Sequence, residues 1–435
     1  MHASHRAWLA ASVLFSLPAF AGNLCVNQGG SGGCKSTIQE AIDAAQPNDT
    51  VTVAHGTYAG NIIIRHPVAL LGQGSGSTVI DATGMLNGIN VDGLGNPGLS
   101  HVIVRGFTVK NADAQGILAT NSSDVTIIDN HVTGNDRALT FPTCAPLPPY
   151  FQQGEGFDCG EGIHLSGVTA STVTGNLVDH NAGGILVSDD TGPSDGDFIT
   201  DNTVRDNPYD CGITLAAHNP TTGVSHITVK GNTSARNGLQ TGEGAGVGVF
   251  AGAPGGKNFG DVIVDNVLIG NALPGVALHS HFPGQSLDGH LIANNTIIGN
   301  GPDSDPGTTV KTGIVIFAET PPEGEGPPGV PADTLLPVNG IQVIGNTFLG
   351  EGIDVAVKTS GGDVALHQNN FFGDVGIANL GEALINATLN WWSCSHSTHG
   401  FHFGSPGGND ACANVTGDNV LVDPTLKKPE KNDHF

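Results

Sequence analysis

Apolar and polar residues alternate in short runs along most of this chain, and the runs recur behind a glycine. Gly162, Gly184, Gly212, Gly246, Gly275, Gly313 and Gly352 each open one. Aligned on that glycine, the next residues form an aliphatic column: Ile163, Ile185, Ile213, Val247, Val276, Ile314 and Ile353. Two residues on, a second column reads Leu165, Val187, Leu215, Val249, Leu278, Ile316 and Val355. Period-two burial predicts strands with one face inside. Their regular return predicts stacked coils, in which the inward positions of successive coils lie one above another.

A second phrase supports the same architecture. An asparagine follows an alternating run at Asn130, Asn176, Asn202, Asn232, Asn266 and Asn295, and another follows five residues later at Asn135, Asn181, Asn207, Asn237, Asn271 and Asn300. Phrases around Asn346 and Asn370 keep the first asparagine and lose the second. Variable spacing around a fixed phrase predicts coils that share strands and carry loops of different length. Asparagine repeated at a bend predicts a side-chain amide ladder, since each amide can bond its neighbours above and below and tolerates left-handed backbone. Helical periodicity is found only at 36–46, with Ser36 or Thr37 as N-cap and Ile38, Ala41, Ile42 and Ala45 on one face. The expected fold is all-β, a single-domain right-handed parallel β-helix with a short N-terminal capping helix.

The ends and composition narrow the setting. His5 and Arg6, an apolar stretch from Ala7 to Leu17 and the small-x-small motif Ala19-Phe20-Ala21 predict a signal peptide over 1–21. The β-helix is expected over 22–425, with an N-terminal cap at 22–50, a closing segment at 386–425 and a polar tail at 426–435. A secreted or periplasmic monomer without an integral membrane segment follows. The 65 Gly against 2 Met fit many turns and little helix. Seven Cys in an exported chain suggest disulfides. Cys25 with Cys34, Cys394 with Cys412 and Cys144 with Cys159 are plausible pairs, which leaves Cys211 over. A formal charge of −25 with only 15 Lys+Arg excludes a nucleic-acid partner and requires local cations for any polyanionic one.

Residues 37–82 resemble the N-terminal cap and first coils of secreted β-helix proteins of the pectin-lyase-like superfamily. Residues 386–394 and 412–426 resemble the closing segment of such repeat proteins, including the periplasmic copper-accessory β-helix proteins linked to nitrous-oxide reduction; Ser393 stands where Gly usually follows Trp-Trp. The resemblance implies the fold. It leaves activity open, because this fold hosts lyases, hydrolases, epimerases and proteins without catalysis.

The variable polar positions carry the candidate chemistry. Positions two, four and six after the glycine are expected to face solvent, and the sixth reads Val168, Asp190, His218, Gly252, His281, Glu319 and Lys358. Strands ~4.8 Å apart would make Asp190 and His218 neighbours. Asp189, Asp190 and His218, with Asp158 and Glu161 one coil earlier, form a candidate catalytic set. It resembles the polygalacturonase branch, in which an Asp, an Asp pair and a His lie on successive coils; that branch's Asn-Thr-Asp, Gly-His-Gly and Arg-x-Lys motifs are absent. Clustered carboxylates split their pKa values, so that one serves as acid while another activates water. His164, Tyr150 and Lys358 are candidate substrate contacts on the same face, beside the aromatic loop at 141–159. His279, His281 and Glu319 form a candidate metal set, since histidines two apart on a strand project to one side.

These features predict a carbohydrate-active enzyme that cleaves glycosidic bonds in a polysaccharide, with hydrolysis favoured over elimination because the face is poor in Lys and Arg. Asp158, Glu161, Asp189, Asp190 and Asp210 could hold Ca²⁺, and another divalent metal is an alternative cofactor. The competing expectation is a non-catalytic β-helix protein of the periplasm or cell surface that binds metal or carbohydrate.

Overall fold

We describe the protein from a computed structural model, over residues 22–136, 160–252, 254–324, 329–393 and 414–430. Strands stack into one 14-stranded sheet and two 12-stranded sheets, with a small 3-stranded sheet beside them. Each coil contributes one strand to each large sheet. Ile163–Ser166 is followed by Thr172–Thr174 and Leu177–Asp179, and the chain then returns to Ile185–Ser188 directly above its starting strand. The pairing is parallel, and the whole is a right-handed parallel β-helix.

The interior is the predicted pair of columns. Ile163, Ile185, Ile213, Val247, Val276 and Ile314 pair in register and are fully buried, as are Leu165, Val187, Leu215, Val249, Leu278 and Ile316. The seventh and last aligned coil departs from the alignment by two residues. Thr312 pairs with Ile353, so Val355 continues the first column and Val357 the second. Gly313 and Gly352 therefore do not mark equivalent positions. A Cβ on Gly313 would approach Phe348 Cδ1 to 2.5 Å, whereas one on Gly352 would meet Val310 Cγ2 at 2.8 Å. Each glycine answers a local close approach.

The N-terminal end carries the expected capping helix. Ile38–Ala44 is a helix whose N-cap Thr37 accepts from Glu40 N, while the Glu40 carboxylate accepts from Thr37 N. Ile38, Ala41 and Ile42 are its buried face, and Cys25 and Cys34 form a disulfide. Cys144, Cys159, Cys394, Cys412 and residues 1–21 lie outside the described residues. Cys211 is buried, and its sulfur accepts the Ala245 amide.

The asparagines form two ladders. In the first, the side-chain amide of each residue donates to the next side-chain carbonyl at 2.9–3.1 Å, from Asn130 through Asn176, Asn202, Asn232, Asn266, Asn295, Asn346 and Asn369 to Asn390. Asn369 occupies the rung, while its neighbour Asn370 opens the following strand. The second ladder runs from Asn135 to Asn300 and ends on Glu351, whose Oε1 accepts from the Asn300 backbone and side chain.

A third polar line precedes the 14-stranded sheet. Asp197 Oδ1 accepts Ser171 N at 2.8 Å, and Asp261 Oδ1 accepts Ile227 N at 2.8 Å. Both aspartates are fully buried, and burial pushes each carboxyl up to about 8. Between the ordinary carboxylate pKa and 8, the folded chain thus holds a proton that the unfolded chain has lost, so stability falls as pH rises through that window. Asp261→Asn keeps the acceptor and removes the titration. It is expected to raise the melting temperature at pH 8 by about 2–4 °C and by less at pH 5. Thermal unfolding at the two pH values checks this; an equal gain at both would show that Asp261 does not carry the proton.

Candidate functional site

The candidate residues gather on the outer side of the 12-stranded sheet that contains Ile163–Ser166, Ile185–Ser188, Ile213–Ala217, Val247–Ala251, Val276–Ser280 and Thr312–Ala318. That side was expected to face solvent, and in its middle it does not. Leu186, Ala216, Phe250 and Ala277 form one buried cluster with Cys211 and Ala245, and Val315, Phe317, Ala356 and Ala378 form another. Alternation tells which side of a sheet a residue takes, but not what covers that side. Val168 is in the interior core. Its strand ends at Ser166 and Gly167 turns the chain at φ +63°, so alternation no longer applies at the sixth position.

Asp190 and His218 meet as the coil spacing predicts. Asp190 Oδ1 lies 2.9 Å from His218 Nδ1, and Asp190 Oδ2 accepts from Ser188 Oγ at 2.7 Å and faces His164 Nε2 at 3.9 Å. His164 Nδ1 lies 3.3 Å from Gln115 Nε2. Burial opposes ionisation of Asp190, but the His218 bond and the charges of His218 and His164 outweigh it and hold the carboxyl below its usual range. The side chains of Asp190 and His218 are only 3% and 1% exposed, so a polymer in solution meets neither directly.

Asp189 has a different position from its neighbour. Its Oδ1 accepts His218 N at 2.6 Å and Asn219 N at 3.0 Å, and its Oδ2 accepts from Thr222 Oγ1 at 2.7 Å. It clamps the turn after the His218 strand, and burial, the largest influence, raises its pKa. The expected carboxylate pair thus divides into one turn clamp and one histidine partner. Glu161 is buried with its carboxylate against Gly183, where a Cβ would approach Oε2 to 2.2 Å. Asp158 and Tyr150 lie outside the described residues.

The second cluster is built differently from the expected His279–His281–Glu319 set. Glu319 pairs with Lys358, which lies beside Phe317 through the two-residue shift of the last aligned coil, its Nζ 5.6 Å above the ring. The carboxylate that joins the histidines is Asp305. His279 Nδ1 lies 3.2 Å and His281 Nε2 3.6 Å from Asp305 Oδ2. One donor atom from each of the three lies within 4.8 Å of the others, and among the described residues no other group of His, Cys, Asp or Glu converges in this way. In particular, Glu161, Asp189, Asp190 and Asp210 do not assemble a carboxylate cage for Ca²⁺.

Local structure explains the convergence. His279 and Ser280 end the Val276–Ser280 strand, so His279 and His281 project to the same side. Phe250 and Phe317, the register partners of His279 on adjacent strands, hold its ring with centroids at 5.5 and 5.4 Å. Asp303 and Asp305 come from the loop before the Thr312–Ala318 strand. Thr308 Oγ1 fixes that loop by accepting Asp303 N at 2.7 Å, and Asp303 Oδ1 accepts Asp305 N at 3.1 Å. Asp303 Oδ2 lies 2.8 Å from His279 Nε2 and so accepts that ring N–H, leaving Nδ1 turned to Asp305. Burial alone would lower the His279 pKa, but the charges and bonds of Asp303 and Asp305 raise it to about 10. Burial, then the His279 charge, lowers His281 to about 4. Glu243 lies in the same field, its carboxyl raised by burial and by the charges of Asp305 and Asp303. His281 and Asp305 are 30% and 41% exposed in their side chains, so the cluster opens to solvent.

The fold also appears in solved structures. The polygalacturonase from Erwinia carotovora ssp. carotovora superposes with a TM-score of 0.55 at 12% identity, over 95% of this chain and 100% of that one. The likeness is one of fold, the right-handed parallel β-helix. Among other structures of this fold, the lidless DFA-IIIase from Arthrobacter chlorophenolicus A6 gives 0.52 at 14% identity, over 89% and 92% of the two chains. The Dettilon tailspike protein gives 0.55 at 12% identity over 80% of this chain, which spans 62% of the tailspike. No curated protein sequence matches. Residues 151–312, less than half of this β-helix chain, match the NosD family, described as periplasmic copper-binding protein. That segment contains Asp190, His218, Glu243, His279, His281, Asp303 and Asp305. Among the described residues, no helix is long and apolar enough to cross a membrane.

Proposed function

We propose that this protein is an extracytoplasmic β-helix protein that holds a divalent transition metal at His279, His281 and Asp305, with copper as its first candidate. The observation that carries the reading is the approach of these three donors to within 4.8 Å, inside the segment similar to a copper-binding family. Two imidazoles and a carboxylate suit Cu(II) and Zn(II), whereas thioether-rich sites suit Cu(I); past the leader region the chain has a single Met, Met85. His279 would bind through Nδ1, His281 through Nε2 and Asp305 through Oδ2, and Asp303 would orient His279 from behind. The apolar leader at 7–17 and its small-x-small motif support export. Calorimetric titration with Cu(II) and Zn(II) tests the proposal: one saturable site per chain is expected, and no binding by either ion would refute it.

A second reading keeps Asp190 as the centre of glycosidic-bond cleavage in a polysaccharide, with hydrolysis favoured. What favours it is one ionised carboxylate held between two imidazoles on adjacent coils. Asp190→Asn should then lower turnover about a hundredfold or more while leaving the circular dichroism unchanged. Reducing ends and the absorbance of unsaturated products, measured on neutral and acidic polysaccharides, check it. Unchanged turnover in the variant would remove Asp190 from the chemistry.

A further inference from the structure

A cleft of about 560 Å³ that shares no lining residue with either histidine cluster opens at the corner between the two 12-stranded sheets, lined by Val310, Lys311, Leu349, Glu351, Phe372 and Asp374. Its size falls in the usual range for small-molecule sites. Each coil bends at this corner. Leu349 ends one strand, Ile353 opens the next, and Phe372 follows the Asn370–Phe371 strand one coil on.

Glu351 is the unusual member. It stands where the second ladder would place another asparagine, and it is 5% exposed. Its Oε1 serves the ladder by accepting from Asn300, while its Oε2 has no partner. A buried carboxyl oxygen left over costs stability, which an asparagine at the same place would avoid. Burial raises the Glu351 pKa to about 7, so at neutral pH the group can accept or donate a hydrogen bond. Next to it, Asp354 Oδ2 accepts Gly373 N at 2.9 Å while its Oδ1 is also unpartnered. Phe372, which also lines the cleft, is exposed and packs on Trp391 with ring centroids 4.9 Å apart, and Val310 is 46% exposed.

We infer that this cleft binds a single neutral sugar ring, its apolar face on Phe372 and its hydroxyls on Glu351 and Lys311. An apolar platform and an unsatisfied carboxyl in the lining of one cleft fit a ligand with one apolar face and hydroxyl donors at its edge. Glu351 and Asp374 outnumber Lys311 in the lining, which disfavours an acidic sugar. This site is independent of the metal reading.

Saturation-transfer NMR on the metal-free full chain, with D-glucose, D-galactose and D-galacturonate as probes, tests the inference. A neutral hexose is expected to receive saturation, strongest on its ring C–H face. Phe372→Ala should weaken binding by about tenfold. Glu351→Gln, which keeps the ladder acceptor, should weaken it too, and His281→Ala should leave it unchanged. Saturation of none of the three sugars, of galacturonate alone, or undiminished in Phe372→Ala overturns the assignment.

Discussion

Replacing His281 with alanine is expected to weaken Cu(II) binding by about a hundredfold or more, with little change in melting temperature for the metal-free protein. The two effects separate because His281 is partly exposed and lies just past the end of its strand, so its loss removes a donor without opening the core. His279→Ala should abolish binding as well but also cost stability, since its ring is buried between Phe250 and Phe317. Asp303→Asn asks a different question. Its Oδ2 meets the far nitrogen of His279 and its Oδ1 holds the Asp305 amide, so it orients two of the donors and the expected loss is about 10–100-fold, the usual effect of a residue that orients a ligand. Glu319→Gln should leave affinity intact, because Glu319 is engaged by Lys358. Calorimetry gives the affinities. The paramagnetic resonance spectrum of the Cu(II) form should show coupling to two nitrogens, reduced to one in His281→Ala. An unaltered spectrum and affinity in that variant would remove the site.

How much of this was legible beforehand depends on where each residue lies in the repeat. Strand positions were legible because burial imposes a period of two, and six successive coils obey it. The seventh misled because glycine was used as the register mark, and Gly352 answers Val310 while Gly313 answers Phe348. The meeting of Asp190 with His218 followed from coil spacing alone. The division of labour between Asp189 and Asp190 did not, since it depends on which of two adjacent carboxylates turns into the His218–Asn219 bend. Asp303, Asp305 and Glu243 lie in loops outside the repeated phrases, so no column brings them to His279. The one signal was position: the loop at 301–311 runs directly into the strand beside the histidines. Glu351 was hidden for another reason. It does a ladder asparagine's work with a different side chain, and a search for asparagine passes over it.

Asn232→Ala, in the middle of the first ladder, is expected to destabilise the protein by on the order of 3 kcal/mol or more. Five hydrogen bonds meet at this side chain or its amide. Asn232 Oδ1 accepts from the backbone and side chain of Asn202, its Nδ2 donates to Ile199 O and Asn266 Oδ1, and its own N–H donates to Asn266 Oδ1. Truncation leaves the Asn202 backbone N–H and one N–H of its side chain without their acceptor and takes a donor from the Ile199 carbonyl, all of them buried. Asn232→Asp keeps the acceptor but turns a buried carboxylate oxygen onto Ile199 O and Asn266 Oδ1, so a loss at least as large is expected at neutral pH, shrinking as the carboxyl protonates at lower pH. Position along the solenoid supplies a further comparison. Each coil contacts only its neighbours, so a defect at an end can be shed by fraying while a central one interrupts the stack. Asn390, the last rung, should therefore cost less to truncate, although it too is fully buried. Denaturant unfolding of the three variants measures the order. A loss below about 1 kcal/mol for Asn232→Ala would mean that the aliphatic columns alone hold the coils in register, with the ladder a passive passenger of the bend.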